Sequence, residues 1–153
     1  MSKDVNKAVV KDDQNILEVS HLKKYFPIKG GFFGGVTNNV KAVDDVSFTI
    51  KRGKTMGLVG ESGCGKSTTG RTILGLLEKT DGTVLFNGRD IGGLSRKESI
   101  ALRTKMQIIF QDPYSSLNPR MTVEDIIGEP LDVHKLYSTK AERREKILNL
   151  MEL

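Results

Sequence analysis

The sequence contains few of the features that mark secreted, membrane-spanning or nucleic-acid-binding chains. Its 153 residues include one cysteine, Cys64, so no disulfide can form within the chain, which is typical of a reducing compartment. No apolar run approaches 18 residues, which excludes a membrane-spanning helix from the sequence. The net charge of +5 is scattered, and no run of five like charges indicates a nucleic-acid tail. We therefore expect no nucleic-acid partner.

What is present suits a globular domain. Apolar residues make up 37% of the chain, and the 16 glycines bring this share into the ordinary range for folded proteins. Residues 1–15 are polar and lack the apolar core of a signal peptide, so we expect a disordered lead-in there. Residues 16–153 are expected to belong to one folded domain.

Strand patterns dominate the first part of the domain. Alternating apolar residues predict strands over 16–26 and 40–50, with a Gly-rich loop over 27–39 between them. Short continuous apolar runs at 54–59 and 106–110 are typical of strands buried on both faces. The Asn87-Gly88 pair, flanked by apolar residues, predicts a hairpin.

Helical patterns follow the strands and complete an α/β class of fold. Helices are predicted over 66–77, over 95–103 and from Thr122 onward, and Thr139 with Glu142 predicts a capping box before the last helix. That helix reaches Leu153 without a stop signal. We therefore expect the 153 residues to be an incomplete domain.

A complete phosphate-binding motif joins the apolar run at 54–59 to the next helix. Residues 60–67, GESGCGKS, match G-x-x-x-x-G-K-[ST]. The glycines let successive N–H groups point at phosphates, and the helix adds its positive dipole end. Lys66 can reach the β- and γ-phosphates, the Ser67 hydroxyl can bind Mg²⁺, and Cys64 contributes its N–H. A Gly-rich turn without function is the alternative, which the flanking strand and helix disfavour. The candidate nucleotide-binding residues are Gly60, Glu61, Ser62, Gly63, Cys64, Gly65, Lys66, Ser67 and Thr68.

A glutamine follows the second buried apolar run. Because the carboxyl ends of parallel strands line the ligand crevice, Gln111 could reach the same Mg²⁺ or an attacking water. One alternative is that Asp112 is the metal ligand of a degraded Walker B motif, although an acid before Pro113 is more typical of a turn. Another is that Gln111 is a polar strand-end residue without a role.

Three stretches together resemble one family. GESGCGKSTTGRTILGL, DGTVLFNGRDI and MQIIFQDPYSSLNPRMTVEDIIGEPL are similar to the ATP-binding subunit of ABC transporters, in the oligopeptide/dipeptide import branch. The resemblance covers residues 16–153. It implies a P-loop NTPase core with an N-terminal antiparallel β subdomain, and a helical subdomain that begins near residue 112.

The same resemblance implies the ligands. ATP and Mg²⁺ are the expected cofactors, with Ser67 and Gln111, the Q-loop glutamine, as metal-site residues. An aromatic at the end of HLKKYF is expected to stack on adenine. The family's spacing favours Phe26 over Tyr25, and only one of two strand neighbours can face the base.

The resemblance also implies the partners and the location. Transmembrane permease subunits, a second ATP-binding subunit, either identical or different, and indirectly a solute-binding protein are expected. The chain would then lie peripherally on the cytoplasmic side of the cell membrane. Peptides are the family's usual cargo, and nickel and other small solutes occur in the same branch. The Gly/Phe-rich loop at 29–35 has no role by this resemblance.

The sequence departs from the family in what a hydrolytic site requires. It has no LSGGQ signature, no apolar run ending in Asp-Glu, and its two histidines, His21 and His134, are not at the switch position. No catalytic set is complete, and the resemblance places the missing parts beyond Leu153. We therefore expect MgATP binding with little hydrolysis.

Two other readings of the motif stay open. A small soluble P-loop kinase or other NTPase is one, although no N-K-x-D motif is present. The segment ERRE at 142–145 is a weak candidate for a kinase lid and is more typical of a solvated helix face. A nucleotide-binding stub that does not hydrolyse is the other.

Overall fold

The structure, a computed structural model, describes residues 15–30 and 36–153. These form two compact units, one ending at Leu94 and one running from Ser95 to Leu153. The expected lead-in at 1–15 lies outside the described residues except for Asn15, which belongs to the first strand. The start of a helical subdomain near residue 112 stays a prediction.

The first unit is built on a long antiparallel hairpin. β1 spans Asn15–Lys29 and β2 spans Val36–Lys51, and both include the predicted strands. The predicted loop over 27–39 is wrong at its ends, because Pro27 pairs with Asn39 and Ile28 with Asn38. Proline is tolerated there because the third strand pairs with β1 only as far as Lys23, which leaves one side of β1 without a ladder in the described residues. The tip of the loop, residues 31–35, lies outside the described residues.

A second hairpin extends the sheet on the other side of β1. β3 (Asp81–Phe86) and β4 (Arg89–Asp90) are joined by Asn87 and Gly88, whose φ angles of 50° and 74° suit the tight turn that the Asn-Gly pair predicts. The strand order is β2-β1-β3-β4, with antiparallel neighbours throughout. The buried apolar side chains of this unit are Leu17, Val19, Leu22, Val43, Ile73 and Val84.

The two apolar runs predicted to be buried strands are not strands. Residues 54–59 and 106–110 have no ladder partner among the described residues. Val59 is 90% exposed and Ile109 is 98% exposed. A continuous apolar run forms a strand only where strands on both sides and layers on both faces cover it, and neither run has that cover within its described unit.

The helices follow the predicted pattern with corrected ends. α1 (Lys66–Ile73) ends four residues before the predicted 77, because Gly75 takes a left-handed φ of 67°. α2 (Arg96–Arg103) begins with a capping box of Ser95 and Glu98. A four-residue helix, α3 (Pro113–Ser116), was not predicted.

The helical pattern predicted from Thr122, with a last helix after Thr139, corresponds to two helices. α4 (Val123–Val133) begins with a capping box of Thr122 and Asp125, and α5 (Lys140–Met151) begins after Thr139. Half of the predicted box at Thr139 is present: its hydroxyl accepts the Glu142 N–H, but the Glu142 carboxylate accepts from the N–H of Ser138 instead. Among the described helices, none has the length and apolarity needed to cross a bilayer.

Arg143 joins α4 to α5, so the prediction of a solvated ERRE face is wrong for this residue. Its side chain is 19% exposed, and its Nε and Nη2 donate to the two carboxylate oxygens of Asp132 at 2.7 and 3.0 Å. This pair and the Tyr137 hydroxyl hold the pKa of Asp132 below its usual value. The guanidinium lies on the backbone of Gly128, where an added Cβ would be 2.0 Å from Nη2.

Candidate nucleotide-binding site

Lys66 is folded back into the phosphate loop. Its Nζ donates to the carbonyl oxygens of Gly60 and Glu61, both at 2.6 Å, and lies 3.5 Å from the Cys64 sulfur. The two carbonyls hold the ammonium at the mouth of the loop, where it can exchange them for stronger anionic acceptors. The side chain of Lys66 is half-buried, and Ser67 beside it is exposed.

The loop also has backbone donors to offer. In the described residues, no hydrogen bond uses the N–H groups of Gly63, Gly65, Lys66 or Ser67. Lys66 is the first residue of α1, so these N–H groups lie at the positive end of its dipole. N–H groups at a helix N-terminus are the donors that the motif predicts for a phosphate chain, and their binding of phosphate stays a prediction.

Gly65 fits the loop against strand β2. It has a φ of 95°, and an added Cβ would be 2.2 Å from the carbonyl oxygen of Ala42. In the β1–β2 ladder Lys24 pairs with Val43 and Tyr25 with Lys41, so Ala42 is an extra residue and forms a bulge. The bulge brings the Ala42 carbonyl to the start of α1. Nothing in the local sequence indicates this bulge.

The two candidate adenine-stacking residues lie beside that bulge, and Tyr25 is the more restrained of them. Its hydroxyl donates to Asp44, and its N–H donates to the Thr80 hydroxyl at 2.9 Å. Lys41 Nζ lies 5.3 Å from the ring centroid of Tyr25 and 3.2 Å from Asp44 Oδ2. The hydrogen bond to Asp44 raises the pKa of Tyr25. The pKa of Asp44 is lowered, mainly by its hydrogen bond from the Tyr25 hydroxyl and next by its hydrogen bond from Lys41.

Phe26 is the more available ring. It pairs with Val40 in the ladder and is 38% exposed. Lys24 Nζ lies 4.8 Å from its ring centroid, which is cation–π distance. The preference for Phe26 over Tyr25 as the adenine-stacking residue stays a prediction.

Gln111 and Asp112 belong to the second unit. Gln111 is exposed at a bend and does not end a strand, so that part of the argument for it is wrong, and its contact with Mg²⁺ stays a prediction. Asp112 accepts the N–H of Tyr114 on its Oδ1 at 3.0 Å, at the start of α3. The interpretation of Asp112 as a turn residue is therefore confirmed.

Comparison with known sequences gives a consistent result. Residues 43–153 match the ABC transporter family (ABC_tran). The chain is 57% identical over 140 residues to the oligopeptide transport ATP-binding protein OppF of Bacillus subtilis (strain 168), covering 91% of this chain and 44% of OppF. It is 46% identical over 143 residues to the dipeptide transport ATP-binding protein DppF of Haemophilus influenzae, covering 94% of this chain and 43% of DppF. The chain thus spans less than half the length of these relatives.

A solved structure gives the same fold. The dimeric structure of MJ0796, a bacterial ABC transporter cassette, matches with a TM-score of 0.68 at 25% identity, covering 89% of this chain and 56% of that chain. The expected fold class, an incomplete α/β ATPase cassette with an N-terminal antiparallel sheet, is confirmed.

Proposed function

The chain belongs to the ABC transporter family, and from that premise we propose that its phosphate loop binds MgATP as part of the ATPase subunit of a peptide importer. The observation that carries this proposal is the position of Lys66, whose ammonium is held by two carbonyls of a loop in which no described hydrogen bond uses the N–H groups of Gly63, Gly65, Lys66 or Ser67. An ammonium held in this way gains from a polyphosphate, because charge-assisted bonds to phosphate oxygens replace bonds to neutral carbonyls.

Each part of the site has a proposed task. The N–H groups of residues 60–68 hold the phosphates, and Lys66 neutralises the β and γ charges. The Ser67 hydroxyl and Gln111 are the proposed ligands of Mg²⁺, which prefers oxygen donors and would screen the phosphate charge when bound. The ring of Phe26, with Tyr25 as the second candidate, stacks on adenine.

The proposed partners follow from the relatives. OppF and DppF are named for oligopeptide and dipeptide transport, and MJ0796 is described as a dimeric cassette. We therefore propose that this chain acts with transmembrane permease subunits, a second ATP-binding subunit and indirectly a solute-binding protein. Its proposed place is the cytoplasmic side of the membrane. Peptides are the proposed cargo.

Hydrolysis by the 153-residue chain is proposed to be weak. Phosphoryl transfer depends on positioned charges and on a group that orients the attacking water. The sequence contains no LSGGQ segment and no Asp-Glu pair after an apolar run to supply them. The proposed activity of these residues is therefore binding.

A titration with a fluorescent ATP analogue in the presence of Mg²⁺ tests the proposal. Lys66→Ala should weaken binding at least ~30-fold, equivalent to about 2 kcal/mol for a lost charge-assisted hydrogen bond. Lys54→Ala is the matched control, because Lys54 is exposed outside the loop and its removal changes the net charge equally. It should bind like the wild type.

Equal affinity of the wild type and Lys66→Ala would sink the phosphate-loop assignment. Equal losses in both lysine variants would indicate that net charge alone attracts the nucleotide. Phosphate release, measured on the same samples, should stay close to the level of Lys66→Ala.

A further inference from the structure

Two neighbouring aromatic rings, Tyr25 and Phe26, are the candidates for the proposed position beside adenine. Both lie on the same side of the bulge at Ala42, opposite Lys41 and Val40, and the Ala42 carbonyl lies against the phosphate loop at Gly65. Because neighbours on a strand point to opposite faces, one of them is turned toward the base and the other away. A contact within this hairpin is therefore needed to determine whether Tyr25 or Phe26 faces the base.

A hydrogen bond across the bulge supplies that decision. Tyr25 pairs in the ladder with Lys41, which precedes Ala42, but its hydroxyl donates to Asp44, which follows Ala42. Lys41 Nζ bonds the other carboxylate oxygen of Asp44 at 3.2 Å, so the bond between Tyr25 and Asp44 does not depend on it. The bond therefore ties together the two sides of an irregularity where a ladder is weakly specified.

Phe26 has no such restraint. It carries no hydrogen-bonding group, and its described ring contact is the cation–π contact with Lys24. A slip of one residue in the ladder would exchange the faces of Phe26 and Tyr25. When the hydroxyl of Tyr25 is held by its hydrogen bond, the apolar ring of Phe26 is the one available to stack on the base.

Resting on the proposed function, we propose that Asp44 is a positioning residue of the nucleotide site. By holding the Tyr25 hydroxyl across the bulge, Asp44 fixes the faces of the two rings, so that Phe26 stacks on adenine. Asp44 does not contact the nucleotide. Asp44 therefore affects only the contribution of the base to nucleotide affinity, because the phosphates are bound by the loop in the proposed function.

Competition against the fluorescent ATP analogue separates base from phosphate binding. The competitors are ATP and inorganic tripolyphosphate, both with Mg²⁺. Phe26→Ala should weaken ATP about tenfold, within the range for base–aromatic stacking, and leave tripolyphosphate within about twofold. Asp44→Ala and Tyr25→Phe should each weaken ATP by about threefold or more, and the double variant no further, because both remove the same bond.

Tyr25→Phe keeps the ring and the net charge, so it tests the bond even if Asp44→Ala folds poorly. Lys41→Met is the control, because it removes the ion pair and keeps the bond between Tyr25 and Asp44. It should bind ATP like the wild type. In the Asp44→Ala background the cost of Phe26→Ala should fall below about threefold, because Tyr25 then shares the position.

Three results would overturn the inference: unchanged ATP binding by Tyr25→Phe, equal losses for ATP and tripolyphosphate in that variant, or an undiminished cost of Phe26→Ala in the Asp44→Ala background. Failure of the proposed function would look different. In that case tripolyphosphate would not compete with the analogue even in the wild type.

Discussion

A single backbone oxygen decides which residue can precede α1. The carbonyl of Ala42 occupies the space that any side chain at position 65 would need, and the φ of 95° there is strained for every residue except glycine. The second glycine of the phosphate motif is therefore required by the sheet as well as by the proposed phosphate site.

Replacing that glycine should be costly. Gly65→Ala should lower the free energy of unfolding by at least ~2 kcal/mol, from left-handed strain and the clash with Ala42, and should abolish ATP-analogue binding. Urea unfolding and the nucleotide titration measure the two effects. The matched control is Gly70→Ala inside α1, where an added Cβ meets nothing within 4 Å.

Gly70→Ala should raise the free energy of unfolding by about 0.5–1 kcal/mol, since alanine is the better helix former, without changing nucleotide affinity. Similar stability of the two alanine variants would contradict the role given to Ala42.

At the level of residues, the sequence predicts what is local. The phosphate motif predicts the roles of Lys66 and Ser67, because those roles depend on spacing within eight residues. The bulge at Ala42 and the contact between Tyr25 and Asp44 could not be predicted, because they depend on pairing between distant parts of the chain. Alanine carries no signal for a bulge.

Helices α4 and α5 are joined through an arginine that lies on a glycine. The Arg143 guanidinium can lie close to the α4 backbone because position 128 has no side chain, and its two bonds to Asp132 prevent it from moving aside easily. This interlock defines how the two helices pack around Ile147, which is buried.

The interlock predicts that the effect of Gly128→Ala on the free energy of unfolding changes sign when Arg143 is removed. Gly128→Ala should destabilise the protein by about 1 kcal/mol or more, because overpacking against Arg143 exceeds the gain in helix propensity. In an Arg143→Ala background the close atom that remains is Ile147 Cδ1, the end of a flexible side chain 3.1 Å from the added Cβ, so the same substitution should stabilise by up to about 1 kcal/mol once this methyl group shifts by a few tenths of an ångström. Urea unfolding of the four proteins completes the cycle, and additive effects would show that Arg143 is not what Gly128 accommodates.

Among the elements, prediction succeeded where pairing partners lie close in sequence. Alternation located β1 and β2, the Asn-Gly pair located the β3–β4 turn, and Ser95 and Thr122 located helix starts. Prediction failed for residues 54–59 and 106–110. A continuous apolar run is typical of a buried strand, but the strand forms only if other segments of the chain pair with it and cover it. Pro27, Asn38 and Asn39 carry loop signals in the sequence, but they belong to strands because the long ladder overrides local preference.

Across the whole molecule, the two uncovered apolar segments stand out. In the first unit Met56, Leu58 and Val59 are exposed, and in the second Ile108, Ile109 and Phe110 are exposed. Exposed apolar side chains on segments whose backbone has no ladder partner in the described residues favour association with other chains. We therefore expect limited solubility of the 153-residue chain.

Hydrogen exchange of the 153-residue chain should differ between the exposed apolar segments and the sheet. Amides of Met56 to Val59 should exchange quickly, whereas those of the buried Val19, Leu22 and Val84 should be protected by the sheet. An apolar dye should bind the same sample. Strong protection at 56–59, with a sharp cooperative melt and a monomeric sedimentation profile, would contradict this expectation.

The extra residue in β2 has a consequence for how this hairpin can change. Deleting Ala42 would leave Lys41 opposite Tyr25 and Val43 opposite Lys24 with no residue between them, which removes this bulge and favours the hairpin as a sheet. The same deletion would withdraw the carbonyl that Gly65 accommodates and leave the phosphate loop without that contact. On the proposed function, selection for stability and selection for nucleotide binding would therefore act in opposite directions at this one position. The irregular ladder is the form that binding would preserve.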